Sequence, residues 1–515
     1  MLIKDKDTVL IVGSGGGVME PNFILEAIES RFLNTGTPRD LTVVHISGIG
    51  NKHEKGINRF AHKGMIKRVI GGHWGWSPIM ANMAMNDEIE AYNLPQGVLS
   101  LLTREIASRR KGLITSIGLK TFIDPRLEGG KLNKITSEDL VKVISIDGEE
   151  QLFYAAFPIN VAIIRGTTAD EEGNITMEYE GVTFEVLSAA QAAYNSGGIV
   201  IAQVKRIAQR GTLDPSKIKV PGFLVNAVVV NKEQWQSYEE EYNPSISGEV
   251  KVPIDFQNLE LNERKIIARR AAMEIELNKN KKPVINVGFG MADGVANICL
   301  EEGLYNDVKF TIEQGVIGGL PAKGIIFGTS YNPESIIDQP YEFDFYHGGG
   351  LDITFLGMAQ LDKHGNVNVS KFGDIIAGCG GFIDISQNTK KLVFCGTFTA
   401  GGGNIQIKDG KIIIEKEGKY RKLLNKVNQI TFSGGFAQDH GQKVYYVTER
   451  AVFILTIDGL ELIEIAPGVD LKKDILGCME FKPIIKEVKM MEESIFGHNK
   501  MNLKSILLRN FHNEK

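Results

Sequence analysis

The chain has 515 residues, which is enough for two or three domains that each bury a sizeable core. Its 58 Lys and Arg residues against 63 Asp and Glu residues give a formal net charge of −5, with 43% apolar and 23% charged residues. This ordinary globular composition disfavours a disordered chain and a general nucleic-acid binder. The sequence also has no run of the ~18 apolar residues that a membrane span needs.

Glycine stands out at 57 residues, whereas proline is sparse at 16. The excess indicates many tight loops in which the backbone approaches something closely or takes a positive φ. The four cysteines are far apart and form no CxxC pair, so the sequence predicts neither a disulfide framework nor a metal site. We expect no signal peptide, no membrane anchor and a cytoplasmic location.

The first predicted element is a strand over residues 8–12, which ends at Gly13 and is followed by a glycine loop. Pro21 then suits the start of a helix. The apolar residues on one face of that helix are Leu25, Ile28 and Phe32. Strand, loop and helix in this order indicate an α/β unit.

The same pattern returns where the apolar run 283–287 enters Gly288-Phe-Gly290. Continuous apolar runs at 198–204, 224–230 and 391–394 are typical of strands buried on both faces. These runs predict the α/β fold class, with two related open domains, mostly parallel sheets and the active site between them.

Residues 231–262 change character, since an acidic cluster at 239–241 is followed by Pro and Gly and the apolar periodicity fades. Such punctuation is typical of a linker. We predict an N-terminal half at residues 1–240, a linker at 241–262 and a C-terminal half at 263–515. A helical pattern at 263–277 opens the second half.

Short segments repeat between the predicted halves. DxxGN followed by a β-branched residue occurs at 170–174 and at 362–366, and it predicts a turn that feeds a strand. QGV occurs at 96–98 and at 314–316, in the same order relative to DxxGN. A duplicated α/β unit explains both repeats, with an insertion in one half.

The glycine loops do not fit known nucleotide fingerprints. GxGxxG fails after Gly13 and after Gly288, because its sixth position is Val18 in the first loop and Asp293 in the second. No P-loop motif exists either. Each loop is therefore either a tight strand-to-helix turn or a helix start whose N–H groups hold an anion or a developing oxyanion.

Glu313 is the sharpest candidate for chemistry, because this carboxylate ends an apolar run and glycines follow it. A carboxylate attacks thioesters and phosphoryl groups adequately and gives anhydride-like intermediates. A structural cap or salt bridge is the alternative on these residues alone.

A histidine-rich region and a pair of tryptophans also have two interpretations each. His45, His53, His62 and His73 concentrate in a region rich in Gly and Lys, which suits a basic lid over a phosphate or a solvated face. Trp74 and Trp76 either line a pocket or fill the core. Further glycine clusters at 348–350, 378–381 and 401–403 predict a long ligand.

Several collinear motifs resemble family I coenzyme A transferases. They are EQGVIGGLP from Glu313, HGGGLD from His347, DKHGNVNV from Asp362, GCGGFIDI from Gly378 and VTERAVF from Val447. GGHW from Gly71, YNLPQG from Tyr92, TFIDP from Thr121 and FCGTFTAG from Phe394 resemble the propionate or acetate CoA-transferase branch, with both half-enzymes fused. The resemblance covers most of the chain.

The resemblance implies roles for particular residues. Glu313 matches the glutamate that attacks the acyl-CoA thioester, and Gln96 matches a glutamine whose amide faces the reacting oxygen. Gly288 and Gly290 match a CoA loop, although Met291 to Gly294 depart from the proline-containing segment of many relatives. By looser correspondence, the residues expected along CoA are Gly349, Gly350, Asp352, Gly380, Gly381 and Lys391.

The implied function is a short-chain acyl-CoA:carboxylate CoA-transferase for acetate, propionate or acetoacetate. Its kinetics are expected to be ping-pong, through an acyl-glutamyl anhydride and a glutamyl-CoA thioester. CoA and acyl-CoA are substrates, and no further cofactor, metal, nucleic acid or membrane partner is expected. Relatives form symmetric assemblies, so a homodimer or homotetramer is expected. An acyl-CoA hydrolase and a non-catalytic acyl-CoA sensor are the alternatives.

Overall fold

The computed structural model describes residues 2–254, 258–278 and 281–513, with side chains up to Arg509. In these ranges the α-helices are α1 Asn22–Thr35, α2 Pro78–Met85, α3 Gln96–Ala107, α4 Val186–Asn195, α5 Glu263–Ala272, α6 Gly294–Glu301, α7 Gln339–His347, α8 Phe382–Ser386, α9 Gly434–Asp439 and α10 Leu503–Asn513. None of them is long and apolar enough to cross a membrane.

Contacts divide the chain into two compact units whose segments alternate along the sequence. Unit 1 comprises Met1–Val252, Ile312–Asp344 and Ser370–Asp384, and unit 2 comprises Pro253–Thr311, Phe345–Val369 and Ile385–Lys515. The boundaries predicted from sequence at 240 and 263 stay a prediction. Within the predicted linker, residues 255–257 lie outside the described residues.

Unit 1 is built on a seven-stranded sheet. Its strands are β1 Thr8–Ile11, β2 Leu41–His45, β3 Ile66–Gly71, β4 Glu90–Asn93, β5 Val161–Arg165, β6 Ile199–Val204 and β7 Ala227–Val230. They lie in the order β7-β6-β5-β1-β2-β3-β4, and every neighbouring pair is parallel. Helices α1 and α2 share one core with β1 to β3, in which Leu25, Val43 and Met80 are fully buried.

Unit 2 has a second large sheet. Its strands are β8 Val284–Val287, β9 Lys309–Ile312, β10 Ile353–Gly357, β11 Lys391–Cys395, β12 Lys443–Val447, β13 Ala451–Thr456, β14 Gly459–Ile465 and β15 Ile484–Met490. The order is β9-β8-β10-β11-β12-β13-β14-β15. Strands β9 to β12 are parallel, whereas β13 is antiparallel to both of its neighbours. The predicted α/β class with mostly parallel sheets is confirmed.

Short strands complete the two units. In unit 1 they are Gly112–Thr115, Val141–Ile146, Glu149–Ala155, Thr168–Asp170, Ile175–Thr176, Arg206–Ala208, Val316–Ile317, Leu320–Pro321, Ser330–Tyr331, Ser335–Ile336, Lys371–Phe372 and Ile375–Ile376. In unit 2 they are Gln360–Asp362, Val367–Asn368, Thr399–Ala400, Asn404–Lys408, Lys411–Lys416, Tyr420–Arg421 and Leu423–Leu424.

The local elements follow the sequence pattern closely. Strand β1 and helix α1 form as predicted, and α1 buries the expected apolar face. Helix α5 begins at Glu263 as predicted but ends at Ala272, five residues before the predicted end. Just beyond it, the Glu274 carbonyl accepts a hydrogen bond from Lys391 (3.1 Å). The apolar Ile275 is nevertheless buried.

The two DxxGN segments form the same turn. In unit 1, Asp170 Oδ1 accepts from the backbone N–H groups of Glu172 and Asn174, both at 3.0 Å, and the Asn174 amide donates to Asp170 Oδ2. In unit 2, Asp362 binds His364 N, Asn366 N and the Asn366 amide in the same pattern. A short strand follows each turn, as predicted.

The QGV repeat does not share one structure. Gln96 is the first residue of helix α3, whereas Gln314 lies in a turn before the strand Val316–Ile317. The two segments also differ in their hydrogen bonds: Asp384 caps the first N–H groups of α3, whereas Gly315 N closes a turn onto Ile312 O.

Candidate active site

Glu313 directly follows the last residue of β9 and is only 9% exposed. Its turn is closed by a 2.9 Å hydrogen bond from Gly315 N to Ile312 O, and the Gly315 carbonyl accepts from Ile337 N at 2.8 Å. Gly315 has φ 96°, and a Cβ there would lie 2.1 Å from Ile337 O. Glycine is therefore required, and the turn that carries Glu313 is fixed to the segment that leads into α7.

Gln96 opens helix α3 in the same unit and is 3% exposed. The N–H groups of Gly97 and Val98 donate to the Asp384 carboxylate at 3.0 and 3.1 Å. A carboxylate suits this position, because it accepts from unpaired N–H groups and faces the positive end of the helix dipole. The Gln96 backbone N–H donates to Gly380 O at 2.9 Å.

The glycine loop at Gly380 and Gly381 lies beside Gln96. Gly380 N donates to Gly72 O at 2.8 Å, and a Cβ on Gly380 would lie 3.7 Å from Gln96 Oε1. Both glycines are buried in unit 1. Gly380 and Gly381, which were expected along CoA, thus lie beside Gln96, the expected oxyanion donor.

A buried chain of hydrogen bonds extends from Gln96. Gln96 Nε2 donates to Gln339 Oε1 at 3.3 Å, and Gln339 Nε2 donates to Glu185 Oε2 at 2.9 Å. Ser100 Oγ contacts the same Glu185 oxygen at 3.5 Å. All four side chains are at most 3% exposed. Burial raises the pKa of Glu185 to about 8, against a smaller lowering by the Ser100 hydrogen bond.

Sequence analysis missed Gln339 and Glu185. Both are far from Gln96 along the chain, and neither lies in a motif or a periodic pattern. The only sequence signal at Gln339 is the proline that follows it, which marks the start of a helix rather than a site.

Gln314, beside Glu313, adds another buried amide. It is 3% exposed, and among the described residues its Oε1 has no hydrogen-bond partner. Gly328, at φ 102°, leaves room for it, because a Cβ there would lie 3.1 Å from Gln314 Cδ. A buried amide oxygen without a partner is costly, so it suits a donor brought by a ligand or by water.

The predicted basic lid is not supported at two of its histidines. Burial lowers the pKa of His45 and of His73 to about 4, so both imidazoles are neutral near pH 7. His45 Nδ1 lies 2.8 Å from Ser47 O, which leaves its Nε2 unprotonated and buried. Trp74 is fully buried, as expected of a core residue.

In unit 2, Gly288 and Gly290 follow β8 at the carboxyl end of the sheet. Gly288 N donates to Phe355 O at 2.8 Å, and Gly290 has φ 95° with open space where a Cβ would project. The strand order reverses between β8 and β10, and ligands of open α/β sheets bind at such a reversal. The Phe289 side chain is 56% exposed there.

The segment that departs from the family pattern is held by a basic side chain. Arg264 donates to Gly290 O at 2.9 Å and pairs with Asp293, which immediately precedes helix α6. The loop therefore keeps a fixed shape without the proline of many relatives.

The other residues expected along CoA lie at the opposite, amino edge of the same sheet. Asp352 immediately precedes β10 and accepts from Val284 N at 3.0 Å and from Lys390 at 2.7 Å. Lys391 is the first residue of β11, where it pairs with Glu274 and Glu276. Gly349 and Gly350 lie in the loop before β10. Asp352 and Lys391 thus have partners within unit 2, and the contact of these four residues with CoA stays a prediction.

The sequence and the fold match known proteins. The coenzyme A transferase family model matches residues 1–231. The acetate CoA-transferase YdiF of Escherichia coli K12 is 46% identical over 96% of this chain and 93% of its own length. The caffeate CoA-transferase of Acetobacterium woodii is 46% identical, with 98% of this chain and 97% of that protein covered.

A solved structure gives the same assignment. The crystal structure of the acyl-CoA transferase YdiF of Escherichia coli O157:H7, a thioester complex with CoA, is 45% identical with a TM-score of 0.91. The alignment covers 97% of this chain and 95% of that one. The chain is an α/β enzyme of the transferase class. It belongs to the coenzyme A transferase family.

Proposed function

We propose that this enzyme moves CoA from a short acyl-CoA to a short carboxylate, with acetate, propionate and acetoacetate as the substrate class. One observation carries the proposal: the buried Glu313 turn is hydrogen-bonded to the segment whose Gln339 holds the amide of Gln96. A nearly buried carboxylate and an amide donor are the two groups that acyl transfer from a thioester needs. The acetate CoA-transferase relative agrees with this substrate class.

The first half of the reaction forms a covalent enzyme. A Glu313 carboxylate oxygen attacks the thioester carbonyl carbon, the C–S bond breaks, and CoA leaves as a thiolate. The product is an acyl-glutamyl anhydride. The thiolate then attacks the glutamyl carbonyl of this anhydride and expels the first carboxylate. Glu313 is left as a glutamyl-CoA thioester, with no proton gained or lost.

The second half reverses these bonds with a new partner. The acceptor carboxylate attacks the glutamyl thioester and releases the CoA thiolate. The thiolate next attacks the acyl carbonyl of the new anhydride, which frees Glu313 and the new acyl-CoA. Because the first carboxylate leaves before the acceptor reacts, the kinetics are ping-pong.

Gln96 supplies the hydrogen bond to the developing oxyanion in this scheme. An amide nitrogen carries two hydrogens, so Nε2 can donate to Gln339 and to the substrate at once. Removing one such donor costs about 2.7 to 4 kcal/mol of transition-state stabilisation in other enzymes. The burial of Glu313 and Gln314 limits access of water, which would hydrolyse either covalent intermediate.

CoA itself is inferred to contact Gly288 and Gly290. Both follow β8 where the strand order reverses, and Gly290 leaves open space for a ligand. The exposed Phe289 ring between them offers an apolar surface to the pantetheine chain. Binding energy from such remote contacts lowers the barrier at the thioester when it is expressed only in the transition state.

Exchange of labelled acetate into acyl-CoA tests the role of Glu313. Glu313→Gln is expected to lower the exchange rate by about 10⁴-fold or more, because the nucleophile is lost. Binding of CoA, measured by calorimetry, is expected to remain. Glu20→Gln is the matched control, since Glu20 is also a buried carboxyl of unit 1 but lies outside the proposed machinery. Near-normal exchange in the Glu313 variant would remove this residue from the mechanism.

Chemical trapping tests the covalent intermediate directly. Wild-type enzyme incubated with acyl-CoA and then with hydroxylamine or borohydride is expected to carry the modification on the peptide that contains Glu313. An unmodified peptide argues against the thioester. Steady release of free CoA without any acceptor carboxylate would instead indicate a hydrolase, and CoA binding without exchange would indicate a sensor.

A further inference from the structure

The side chain of Glu185 does not cap helix α4, although Glu185 is the N-cap residue of that helix. A carboxylate at this position ordinarily accepts hydrogen bonds from the first N–H groups of the helix. No such side-chain bond is present. The carboxyl turns instead to Gln339 at 2.9 Å, in a setting that is 2% exposed. A cap bond and the hydration of the carboxyl are both given up for this contact and a longer one with Ser100.

The hydrogen bond between Glu185 and Gln339 determines which end of the Gln339 amide faces Glu185. A primary amide has a donor end and an acceptor end of nearly equal shape, so packing alone holds the two orientations almost equally well. Glu185 Oε2 accepts from both Gln339 Nε2 and Ser100 Oγ. With its NH₂ group bound there, Gln339 can offer only its carbonyl oxygen to Gln96.

The orientation of Gln339 then fixes that of Gln96. Facing a carbonyl oxygen at 3.3 Å, Gln96 must turn its NH₂ group and not its Oε1 toward Gln339. The second hydrogen of the same nitrogen is then left for another acceptor, such as a substrate oxygen. If Gln339 were reversed, Gln96 would present its own oxygen, and an oxygen repels a developing oxyanion.

We propose that Glu185 is a positioning residue that acts through Gln339 to hold the Gln96 amide with its donor end at the reacting oxygen. This inference rests on the proposed function, because it assigns a task to the Gln96 amide in acyl transfer. Glu185 itself does not touch the substrate in this scheme.

The charged surroundings of Glu185 agree with a role through hydrogen bonds. Asp338 is the neighbouring carboxyl on the segment before α7, and it is engaged by Thr183 Oγ1 at 2.8 Å and by Lys219 at 3.6 Å. Helix α3 presents the neutral Ser100 to Glu185, and α4 adds Ser188, which donates to the Glu185 carbonyl at 3.2 Å. No cation therefore forms an ion pair with Glu185 in the described part of the chain.

A double-mutant cycle on the full-length enzyme tests the relay by acetate exchange. The assays are run at about pH 9, above the pKa of Glu185, so that the wild-type carboxylate can only accept hydrogen bonds. Glu185→Gln keeps the shape but can donate as well as accept, so it permits both orientations of Gln339. We expect kcat to fall about 5- to 20-fold while KM for acyl-CoA changes less than about two-fold, as for an interaction made only in the transition state. Gln339→Met, which removes the amide, is expected to lower kcat similarly.

The decisive comparison is in the absence of the Gln96 amide. In a Gln96→Ala background, Glu185→Gln and Gln339→Met are each expected to change kcat less than about two-fold, because a residue that acts through Gln96 has nothing left to orient. A multiplicative loss in that background, or an unchanged kcat in the single variants, would overturn the relay.

A matched control separates the relay from general damage to unit 1. Glu20 is a buried carboxyl that accepts from Gly50 N at 2.7 Å and from Tyr238 Oη at 2.6 Å, with no bond to the Gln96 chain. Glu20→Gln is expected to leave kcat within about two-fold, and an equal loss there would contradict a specific role for Glu185. If wild-type enzyme shows no exchange at all, the proposed function fails; if exchange occurs and the cycle is additive, only the relay fails.

Discussion

Gly315 controls where Glu313 lies, since it is the point at which the turn touches the segment that holds Gln339. The position of its missing Cβ is 2.1 Å from Ile337 O and 3.4 Å from Gln339 N. Any side chain there would push this segment away. A single glycine thus links the position of the carboxylate to that of the amide chain, although the two belong to different elements.

Gly315→Ala is therefore expected to lower kcat by about 10- to 100-fold, because small displacements of reacting groups are costly. Gly197→Ala is the matched control. It has φ 78°, also lies in unit 1, and has no atom within 4 Å of its Cβ position, so it carries the backbone strain without the clash. We expect it to lose about 1 kcal/mol of stability and to keep its kcat. Equal losses of kcat in both variants would contradict the link.

Individual residues also show where sequence reasoning stops. Glu313, Gln96 and Gly380 were named as site candidates from sequence motifs, and their roles stay a prediction. Their grouping with Gln339 and Glu185 was not predictable, because those contacts join positions 243 and 154 residues apart and no periodic pattern marks them. Long-range hydrogen bonds between side chains leave no local signal.

At the scale of elements, the position of a residue relative to its strand decides which edge of a sheet it reaches. Gly288 follows β8, whereas Asp352 precedes β10 and Lys391 begins β11. The parallel strands therefore place the first at the carboxyl edge and the other two at the amino edge. Strand β11 was itself predicted from the sequence, so the position of Lys391 at the amino end of a strand could also have been predicted from the sequence.

The two DxxGN turns are the elements that sequence alone predicted best, and they offer a matched pair. Asp170 and Asp362 each bind two backbone N–H groups, and Asp362 Oδ2 also accepts from Val427 N at 3.3 Å. Replacing either aspartate with alanine leaves partly buried N–H groups unpaired. We expect each change to lower the free energy of unfolding by about 1 to 3 kcal/mol, with the larger loss at Asp362.

Urea unfolding of the two variants measures this difference. Asp214→Ala serves as the control, since Asp214 binds the backbone N–H of Ser216 in an exposed turn where water replaces the lost bond. Losses at Asp170 and Asp362 no larger than at Asp214 would show that these turns are not required for stability.

At the scale of the whole molecule, each of the two compact units is assembled from three separate segments of the chain. Residues 312–344 and 370–384 belong to unit 1 although they lie far beyond residue 252 in the sequence. The sequence predicted the strands, the two large sheets and the family, because these depend on local apolar runs and on motifs. The exchange of segments between units depends on long-range contacts, which local patterns do not encode.

Buried groups of unit 1, among them Glu20, Glu185, His45 and His73, give its stability a pH dependence with two opposed parts. The pKa of Glu20 is raised to about 7 and that of Glu185 to about 8, so the folded state holds protons that the unfolded state releases above pH 4.5. Their contribution to stability falls as the pH rises through this range. Burial lowers the pKa of His45 and His73 to about 4, so the unfolded state binds protons below pH 6.5 and their contribution rises with pH.

The two contributions oppose each other between pH 5 and 6.5. Above pH 7 the Glu185 carboxyl still differs between the folded and unfolded states, whereas the imidazoles are neutral in both states and Glu20 has titrated. Unit 1 is therefore expected to lose about 1.4 kcal/mol of stability per pH unit from pH 7 until the Glu185 carboxyl ionises near pH 8.

Trp74, Trp76 and Trp235 all lie in unit 1, so tryptophan fluorescence during urea unfolding reports on this unit. Glu185→Gln is expected to make the decline above pH 7 shallower, because the raised carboxyl of Glu185 is then absent. The same decline in wild type and variant would mean that Glu185 is not the group that holds the proton.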